Sequence, residues 1–403
     1  MRRRWLAGIF AVCTVWAVLV AVFTNDHVHE LWGEMAAVGY GLAFVSALVL
    51  RHARGADIAV GVAFLGGLLL PLGWLATRGL GQPEVWVVAA SGASLIHHGT
   101  PYANATVLAG TRNPDSYNPY LPVMALFGLP HAFFDLGLLT DPRLWFGVVF
   151  FVVFWLALRY AGARDPGRWT FLVAGTPVIA FELAVGGTDV PMVGFLCLGF
   201  AYLWVRKPAL AGLALGIGAA MKATAWPALL VAVALLAIRD GKRSVGTFSL
   251  AALGVIAACL GPFVIDHPKS LIVNTIKFPL GLASVKSDAV SPLPGYVIAH
   301  AWGDTGHTIV VVLLALAGVA VAASLVFKPP RSVPRAVVLL AGAMTLMFVL
   351  APSTRFGYFI YPAALAIWLL AVWAGRRVDS GDALGEIAVR LLPTRVPESP
   401  PPT

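Results

Sequence analysis

Apolar runs separated by short polar segments make up most of this chain. Most of the runs approach the roughly 20 residues that a helix needs to cross the hydrocarbon core of a bilayer. They occupy twelve stretches, which are 5–23, 31–50, 58–76, 144–158, 169–184, 190–205, 209–220, 223–238, 246–265, 308–327, 336–350 and 358–374. The pattern therefore predicts an all-α polytopic membrane protein with about 12 transmembrane helices.

Composition agrees with this class and excludes a soluble globular domain. Hydrophobic residues make up 59% of the chain and charged residues 12%, and the mean hydropathy is +0.84. A soluble domain has about half apolar and about a quarter charged residues. The three cysteines all lie inside apolar runs without a close partner, so neither a disulfide framework nor a metal site is predicted.

Positive charge fixes the predicted orientation. A net charge of +9 could indicate a nucleic-acid partner, but cytoplasmic loops of membrane proteins collect Lys and Arg in the same way. With twelve crossings and the N-terminus inside, most of the 28 Lys and Arg residues fall on the cytoplasmic side, including those at 2–4, 51–54 and 239–243. We therefore expect a plasma-membrane protein with both termini in the cytoplasm and no nucleic-acid partner.

The predicted organisation is one membrane domain over 1–376 followed by a disordered cytoplasmic tail over 377–403, which is polar and rich in proline. Two long segments, 77–142 and 266–307, are assigned to the outer face. The first carries a helical pattern between Pro83 and Gly99, with a proline at its start and a glycine at its end. We expect it to form a long outer loop with juxtamembrane helices.

The basic residues that flank 209–238 also predict a broken hairpin over this stretch. Both of its ends are flanked by basic residues that belong inside, so two short helices must enter and return. Lys222 stands at the tip of this hairpin. Short broken helices are tolerated in lipid only where they line a cavity or are buried in protein.

Several short motifs, taken in order along the chain, resemble those of GT-C superfamily membrane glycosyltransferases. The motifs are Trp86, Tyr102 and Tyr117-Asn118-Pro119, then Gly186-Gly187-Thr188-Asp189-Val190-Pro191, then Leu210 to Gly216 leading to Lys222, and finally Ala351 to Tyr358 with Tyr361-Pro362. Within that superfamily, the similarity is to the polyprenyl-phosphate-mannose-dependent alpha-mannosyltransferases of glycosyltransferase family 87. It extends over roughly 77–377.

The resemblance implies a GT-C-like fold and a hexosyltransferase activity. Such an enzyme moves a sugar, here expected to be mannose, from a polyprenyl-phosphate donor to a lipid or glycan acceptor of the cell envelope, on the extracytoplasmic face. It works by general-base displacement, with an acidic residue of the first large outer loop as the base. It needs no cofactor beyond the lipid-linked sugar phosphate, which is a co-substrate. Membrane lipid, donor and acceptor are therefore the expected partners, while the oligomeric state is undetermined.

Three carboxylates are candidates for chemistry. Glu84 is the first choice as general base because it lies where the outer segment re-enters the membrane interface, although a first-turn acid also suits the helix dipole. Asp115 is the second, with turn formation beside Pro114 as its alternative role. Asp189 is assigned to substrate binding, and N-capping of the following helix is its alternative.

Two cations are candidates for holding the lipid phosphate. Placing the charge of Lys222 at a helix break in lipid costs free energy. This cost favours a functional role over snorkelling of the side chain to the interface. Arg355 follows Pro352 at a helix start, where its guanidinium could grip phosphate oxygens; anchoring at the interface is the alternative. Of the pair His97 and His98, only one is expected to face a site, because adjacent helical residues point in different directions.

Tyr117 and Tyr358 belong to the motifs that carry the resemblance and are assigned to substrate binding with it. The sequence has no metalloprotease, phosphate-loop or dinucleotide-binding motif, so no metal or nucleotide site is predicted. The alternative function is a multi-pass transporter or flippase of a lipid-linked sugar. A transporter would be expected to show two related halves, and no internal repeat is evident.

Overall fold

The computed structural model describes residues 3–375 except 53, 135 and 287, and it is helical throughout. Helix accounts for 80% of the described residues, which contain no strand. Their one β-type pairing is an isolated parallel bridge between Val290 and Thr354. This confirms the predicted all-α class, whereas the predicted tail over 377–403 lies outside the described residues.

Eight helices among the described residues are long and apolar enough to cross a membrane. They are α1 (Arg3–Phe23), α2 (His27–Val49), α3 (Gly55–Thr77), α7 (Pro142–Tyr160), α13 (Gly241–Asp266), α16 (Gly303–Phe327), α17 (Val333–Leu350) and the Phe356–Ala374 span, which overlaps α18 (Ile360–Gly375). The chain is therefore a polytopic membrane protein.

Four more apolar runs form helices that are shorter or bent. α8 (Pro166–Ala174) and α9 (Pro177–Val185) meet at an angle of 57° and pass the length test only as a pair. The others are α10 (Val190–Trp204), α11 (Pro208–Met221) and α12 (Trp226–Arg239), which have 15, 14 and 14 residues. Eight or nine spans among the described residues are thus long and apolar enough to cross a membrane. The count of about 12 transmembrane helices stays a prediction.

Burial explains how α10 can be short. Most of its side chains are fully buried, because it packs between α7 and α11. A helix enclosed by other helices does not have to match the thickness of the lipid around the protein. The break between α8 and α9 also has a local cause, since Gly175 ends the first helix and Pro177 begins the second.

Short helices fill the two segments assigned to the outer face. The helix predicted between Pro83 and Gly99 is confirmed as α4 (Pro83–His98), and Gly99 ends it in the left-handed conformation at φ 69°. The other short α-helices are α5 (Ala105–Gly110), α6 (Leu129–Phe133), α14 (Pro268–Ile272) and α15 (Pro294–Ala301), and further turns of 3-10 and π helix lie between them.

Orientation can be tested with fusion reporters. We expect reporters fused at Asp115 and Lys286 to report an outside location and those at Arg164 and Lys242 an inside location, because the positive charges favour that arrangement. Paired alkaline phosphatase and green fluorescent protein fusions at each position provide the measurement and its control. A cytoplasmic signal at Asp115 would reverse the predicted orientation.

Candidate active site

The helix break at Lys222 holds a buried ion pair. The Lys222 Nζ lies 2.6 Å from Oδ1 of Asp189, and the two side chains are 13% and 6% exposed. Asp189 stands at the start of α10, yet its side chain makes no capping hydrogen bond there. The structure therefore shows the Asp189 carboxylate pairing with Lys222 rather than capping the helix.

Hydroxyl groups and aromatic rings surround this pair. The Tyr361 hydroxyl donates to Oδ1 of Asp189 at 2.5 Å and lies 2.7 Å from the Thr224 hydroxyl. The Lys222 ammonium is 5.1 Å from the centre of the Tyr358 ring and 5.5 Å from that of Tyr120. Contacts of this kind stabilise a cation away from water, so the charge on Lys222 is held in a fixed place.

A second ion pair joins α4 to the segment before α18. Glu84 contacts the Arg355 guanidinium through Oε1, and the two side chains are 20% and 30% exposed. The other carboxylate oxygen, Oε2, is buried without a hydrogen-bond partner among the described residues. Glu84 therefore keeps a free oxygen that can accept a hydrogen bond.

The position of Glu84 is set by the neighbouring end of α9. The Gln82 N–H donates to the Val185 carbonyl at 2.7 Å, and Pro83 then starts α4. Gly186 ends α9 at φ 118° and lies so close to Val85 that a Cβ would not fit. These contacts place the first turn of α4 beside the end of α9.

Lys222 and Arg355 are held by the two segments assigned to the outer face. The Leu121 N–H donates to the Met221 carbonyl at 2.9 Å, which fixes the end of α11 just before Lys222. On the other side, the Thr354 N–H donates to the Ala289 carbonyl at 3.0 Å. Both segments therefore contribute to the framework of the ion-pair cluster.

Glu182, in the last turn of α9, is a third carboxylate at this place. Its side chain is buried, and it interacts electrostatically with Asp189, Glu84, Lys222 and Arg355. We call the two ion pairs together with Glu182 the charge cluster. It contains two cations and three carboxylates, so one carboxylate has no cation of its own.

The charge cluster unites four of the residues named from the sequence, which are Glu84, Asp189, Lys222 and Arg355. A fifth, Tyr358, lies against Lys222. Asp115 lies outside the charge cluster, exposed in a 3-10 turn. Partial burial and the carboxylate of Asp288 raise the pKa of Asp115, while the charge of Arg355 lowers it.

The two histidines and Tyr117 are also outside the charge cluster. His97 and His98 are exposed at the far end of α4, about 20 Å along the helix axis from Glu84. Tyr117 is buried elsewhere: its ring stacks on Phe278 at 4.5 Å and its hydroxyl lies 2.9 Å from the hydroxyl of Ser284. These contacts join the two long segments.

Sequence reasoning missed Glu182, Tyr361 and Thr224 as members of the site. A signal for Glu182 was available, because it is the one charged residue in the apolar run 169–184, and an ionisable residue in such a run is a candidate for function. Tyr361 belongs to one of the motifs that carry the resemblance, but the motif alone indicates no role for it. Nothing in the sequence marks Thr224.

Comparison with known protein families identifies the class. The fold defines a polytopic membrane protein whose charged groups gather where several helices end. The sequence model of glycosyltransferase family 87 matches residues 118–352, which is more than half of the chain, so the protein belongs to glycosyltransferase family 87 and is a membrane glycosyltransferase.

The matched region contains Glu182, Asp189 and Lys222, whereas Glu84 and Arg355 lie outside it. Searches of curated proteins and of solved structures found no match. The finer assignment of substrate and of residue roles therefore depends on the chemistry of the charge cluster itself.

Proposed function

We propose that this protein transfers a sugar, with mannose as the first candidate, from a polyprenyl-phosphate donor to an acceptor on the extracytoplasmic face of the plasma membrane. The observation that carries the proposal is the charge cluster. Transfer of a sugar from a lipid phosphate requires cations for the phosphate and a base for the acceptor hydroxyl. Both kinds of group meet here within a membrane glycosyltransferase.

In the proposed mechanism, Lys222 and Arg355 bind the phosphate of the donor. A phosphate offers several charged oxygens to a guanidinium and binds it bidentately. It can therefore replace Glu84 as the partner of Arg355. Tyr358 lies against the Lys222 ammonium and would help to hold it toward the same phosphate.

Release from Arg355 would free Glu84 to act as the general base. Its Oε2 has no hydrogen-bond partner among the described residues, so it can receive the proton of an acceptor hydroxyl. That hydroxyl oxygen then attacks the anomeric carbon of the donor sugar as the bond to the phosphate oxygen breaks. The lipid phosphate leaves with the charge that Lys222 and Arg355 neutralise, while Asp189 keeps Lys222 in place.

The direct test is transfer by membranes that contain the protein. We expect sugar to pass from one member of a panel of polyprenyl-phosphate sugars to endogenous acceptors, and mannose is the first to be tried. Membranes without the protein are the control. If wild type transfers nothing from any donor while a lipid-linked sugar crosses the bilayer, the transporter alternative becomes the better explanation.

The phosphate role of the two cations makes a separate prediction. Lys222→Met and Arg355→Met should each weaken binding of polyprenyl phosphate by about 1.5–3 kcal/mol, since each removes a charged hydrogen bond. Binding to purified protein in nanodiscs can be measured by competition with a fluorescent polyprenyl phosphate.

Lys269→Met is the matched control, because Lys269 is exposed and forms no ion pair with any described residue. Thermal melting of each variant shows whether the fold survives. Unchanged affinity in both folded variants would refute the assignment of Lys222 and Arg355 to the phosphate.

A further inference from the structure

A basic cavity of about 370 Å³ lies between the end of α16 and the start of α17. Ser324 and Phe327 of α16 line one side of it, and Arg335 and Leu339 of α17 line the other. The chain between the two helices, over Lys328–Arg331, completes the lining and includes two adjacent prolines. Three cations and no carboxylate therefore line this cavity among the described residues.

The basic cavity is remote from the charge cluster. It lies at the start of α17, which continues for 18 residues, or about 27 Å, and ends just before the segment that carries Arg355. Positive charge predicts that the start of α17 is on the cytoplasmic side. The basic cavity is therefore separate from the site proposed for the donor phosphate.

The cations of the basic cavity have no counter-charge among the described residues. The sequence contains no acidic residue between Asp304 and Asp379, so none is available on α16, on α17 or in their connection. The nearby carboxylate of Asp240 follows α12, which packs on α17, but Arg206 and Arg239 each already bind it at 2.6 Å. Cytoplasmic loops commonly collect cations, yet here three of them line one cavity and stay unpaired.

The start of α17 adds to the positive potential of the basic cavity. Helix N-termini carry a partial positive charge and N–H groups without partners in the helix. Ser332 precedes this helix and makes no capping hydrogen bond through its side chain. Arg331 and Arg335 stand on either side of this first turn, so guanidinium and backbone donors are available to the same anion.

Phosphate is the anion that these groups suit best. Guanidinium groups bind two phosphate oxygens at once, and helix N-termini are common phosphate sites. The surroundings indicate that the phosphate belongs to a lipid. Only 6% of the α16 span is buried, and Phe327 in the lining is 81% exposed, so hydrocarbon chains can pack beside the basic cavity. Basic pockets between membrane helices on the cytoplasmic side bind the headgroups of anionic lipids.

We propose that the basic cavity binds the headgroup of an anionic phospholipid from the cytoplasmic leaflet. Arg331 and Arg335 hold the phosphate oxygens, Lys328 adds a third positive charge, and the lipid chains lie along α16 beside Phe327. This lipid is a bound component of the protein and not a substrate, because the charge cluster is at the other end of α17. The proposal does not depend on the residue roles assigned in sugar transfer.

The test measures lipid binding to the purified full-length protein by native mass spectrometry from a neutral detergent. We expect dioctanoyl phosphatidylglycerol to bind at least about tenfold more tightly than dioctanoyl phosphatidylcholine, whose headgroup carries its own cation. Glycerol phosphate, which has the phosphate but no chains, should compete at least about tenfold less well than the lipid. Equal competition by glycerol phosphate would make a soluble phosphate the ligand and overturn the lipid assignment.

A pair of double variants tests the cations. Arg331→Gln combined with Arg335→Gln should weaken binding of phosphatidylglycerol about tenfold or more, because both positive charges near the headgroup are lost. Lys242→Gln combined with Arg243→Gln removes the same charge from the exposed start of α13 and should change binding less than about twofold. Thermal melting of both variants shows whether the fold survives.

A second pair tests the cavity without removing a cation. Ser324→Glu places a carboxylate among the three cations and should also weaken binding about tenfold or more, because it takes the place of the phosphate. Ser46→Glu is the matched control, since both serines are half-buried and lie three residues before the end of their helix.

Equal affinity of the wild type for the two lipids would overturn the proposal. So would an equal loss of phosphatidylglycerol binding in the two double variants, because general attraction to positive charge would then explain the binding. None of these measurements requires sugar transfer. The anionic lipid site can therefore be confirmed or refuted whatever the outcome of the transfer assay.

Discussion

Glu84→Gln should lower sugar transfer by roughly 10²–10⁴-fold, the usual contribution of a positioned base. Glutamine keeps the shape of the side chain but cannot take up the proton of the acceptor hydroxyl. It also removes the ion pair with Arg355, so Arg355 becomes more available to the donor phosphate. We therefore expect donor binding to be retained or strengthened while transfer is lost, measured in the same membranes.

Two further substitutions serve as controls for this result. Glu84→Asp keeps a carboxylate on a shorter stem and should retain part of the activity. Asp115→Asn should be mild, because Asp115 lies exposed outside the charge cluster. Loss of transfer in Asp115→Asn with normal transfer in Glu84→Gln would reverse the roles assigned to these two carboxylates.

Arg143→Met should destabilise the fold by about 3–5 kcal/mol, the usual cost of breaking a buried ion pair by removing one partner. Arg143 is fully buried and binds both carboxylate oxygens of Asp141, at 2.9 and 2.7 Å. It also donates to the carbonyls of Leu80 and Ala184, at 2.8 and 2.9 Å. It thus ties the start of α7 to the chain before α4 and to the end of α9.

The measurement is unfolding of the purified protein in detergent, followed by tryptophan fluorescence. Arg112→Met, at an exposed arginine, is the matched control and should change little. Arg143→Met combined with Asp141→Asn should recover part of the loss, because the amide leaves no buried charge. A loss below about 1 kcal/mol in Arg143→Met would contradict the structural role of this pair.

The sequence was sufficient to predict the eight helices that are long enough to span a membrane, because length and hydropathy alone select such helices. It also named Lys222 and Arg355, since charges beside apolar runs are few and conspicuous. It could not show that Lys222 pairs with Asp189 and Arg355 with Glu84. Ion pairs depend on how distant helix ends pack together, and that information is not present in local pattern.

The positions of His97, His98 and Glu182 relative to the site could not be predicted from the sequence for the same reason. His97 and His98 share a helix with Glu84 but are separated from it by most of the helix length, which a motif cannot reveal. Glu182 was overlooked because it lies within an apolar run that was counted only as a crossing. Its place in the charge cluster becomes visible only in the folded structure, where it interacts with both ion pairs.

The contact between Glu84 and Arg355 has a consequence for how the protein is made. Membrane proteins are synthesised from the N-terminus, so Glu84 enters the membrane region long before Arg355 has been translated. Asp189 similarly obtains Lys222 early, but Tyr361 only near the end. A chain truncated before Arg355 would therefore expose an unpaired carboxylate and an incomplete hydrogen-bond network, features by which cellular quality control could distinguish unfinished chains from complete ones.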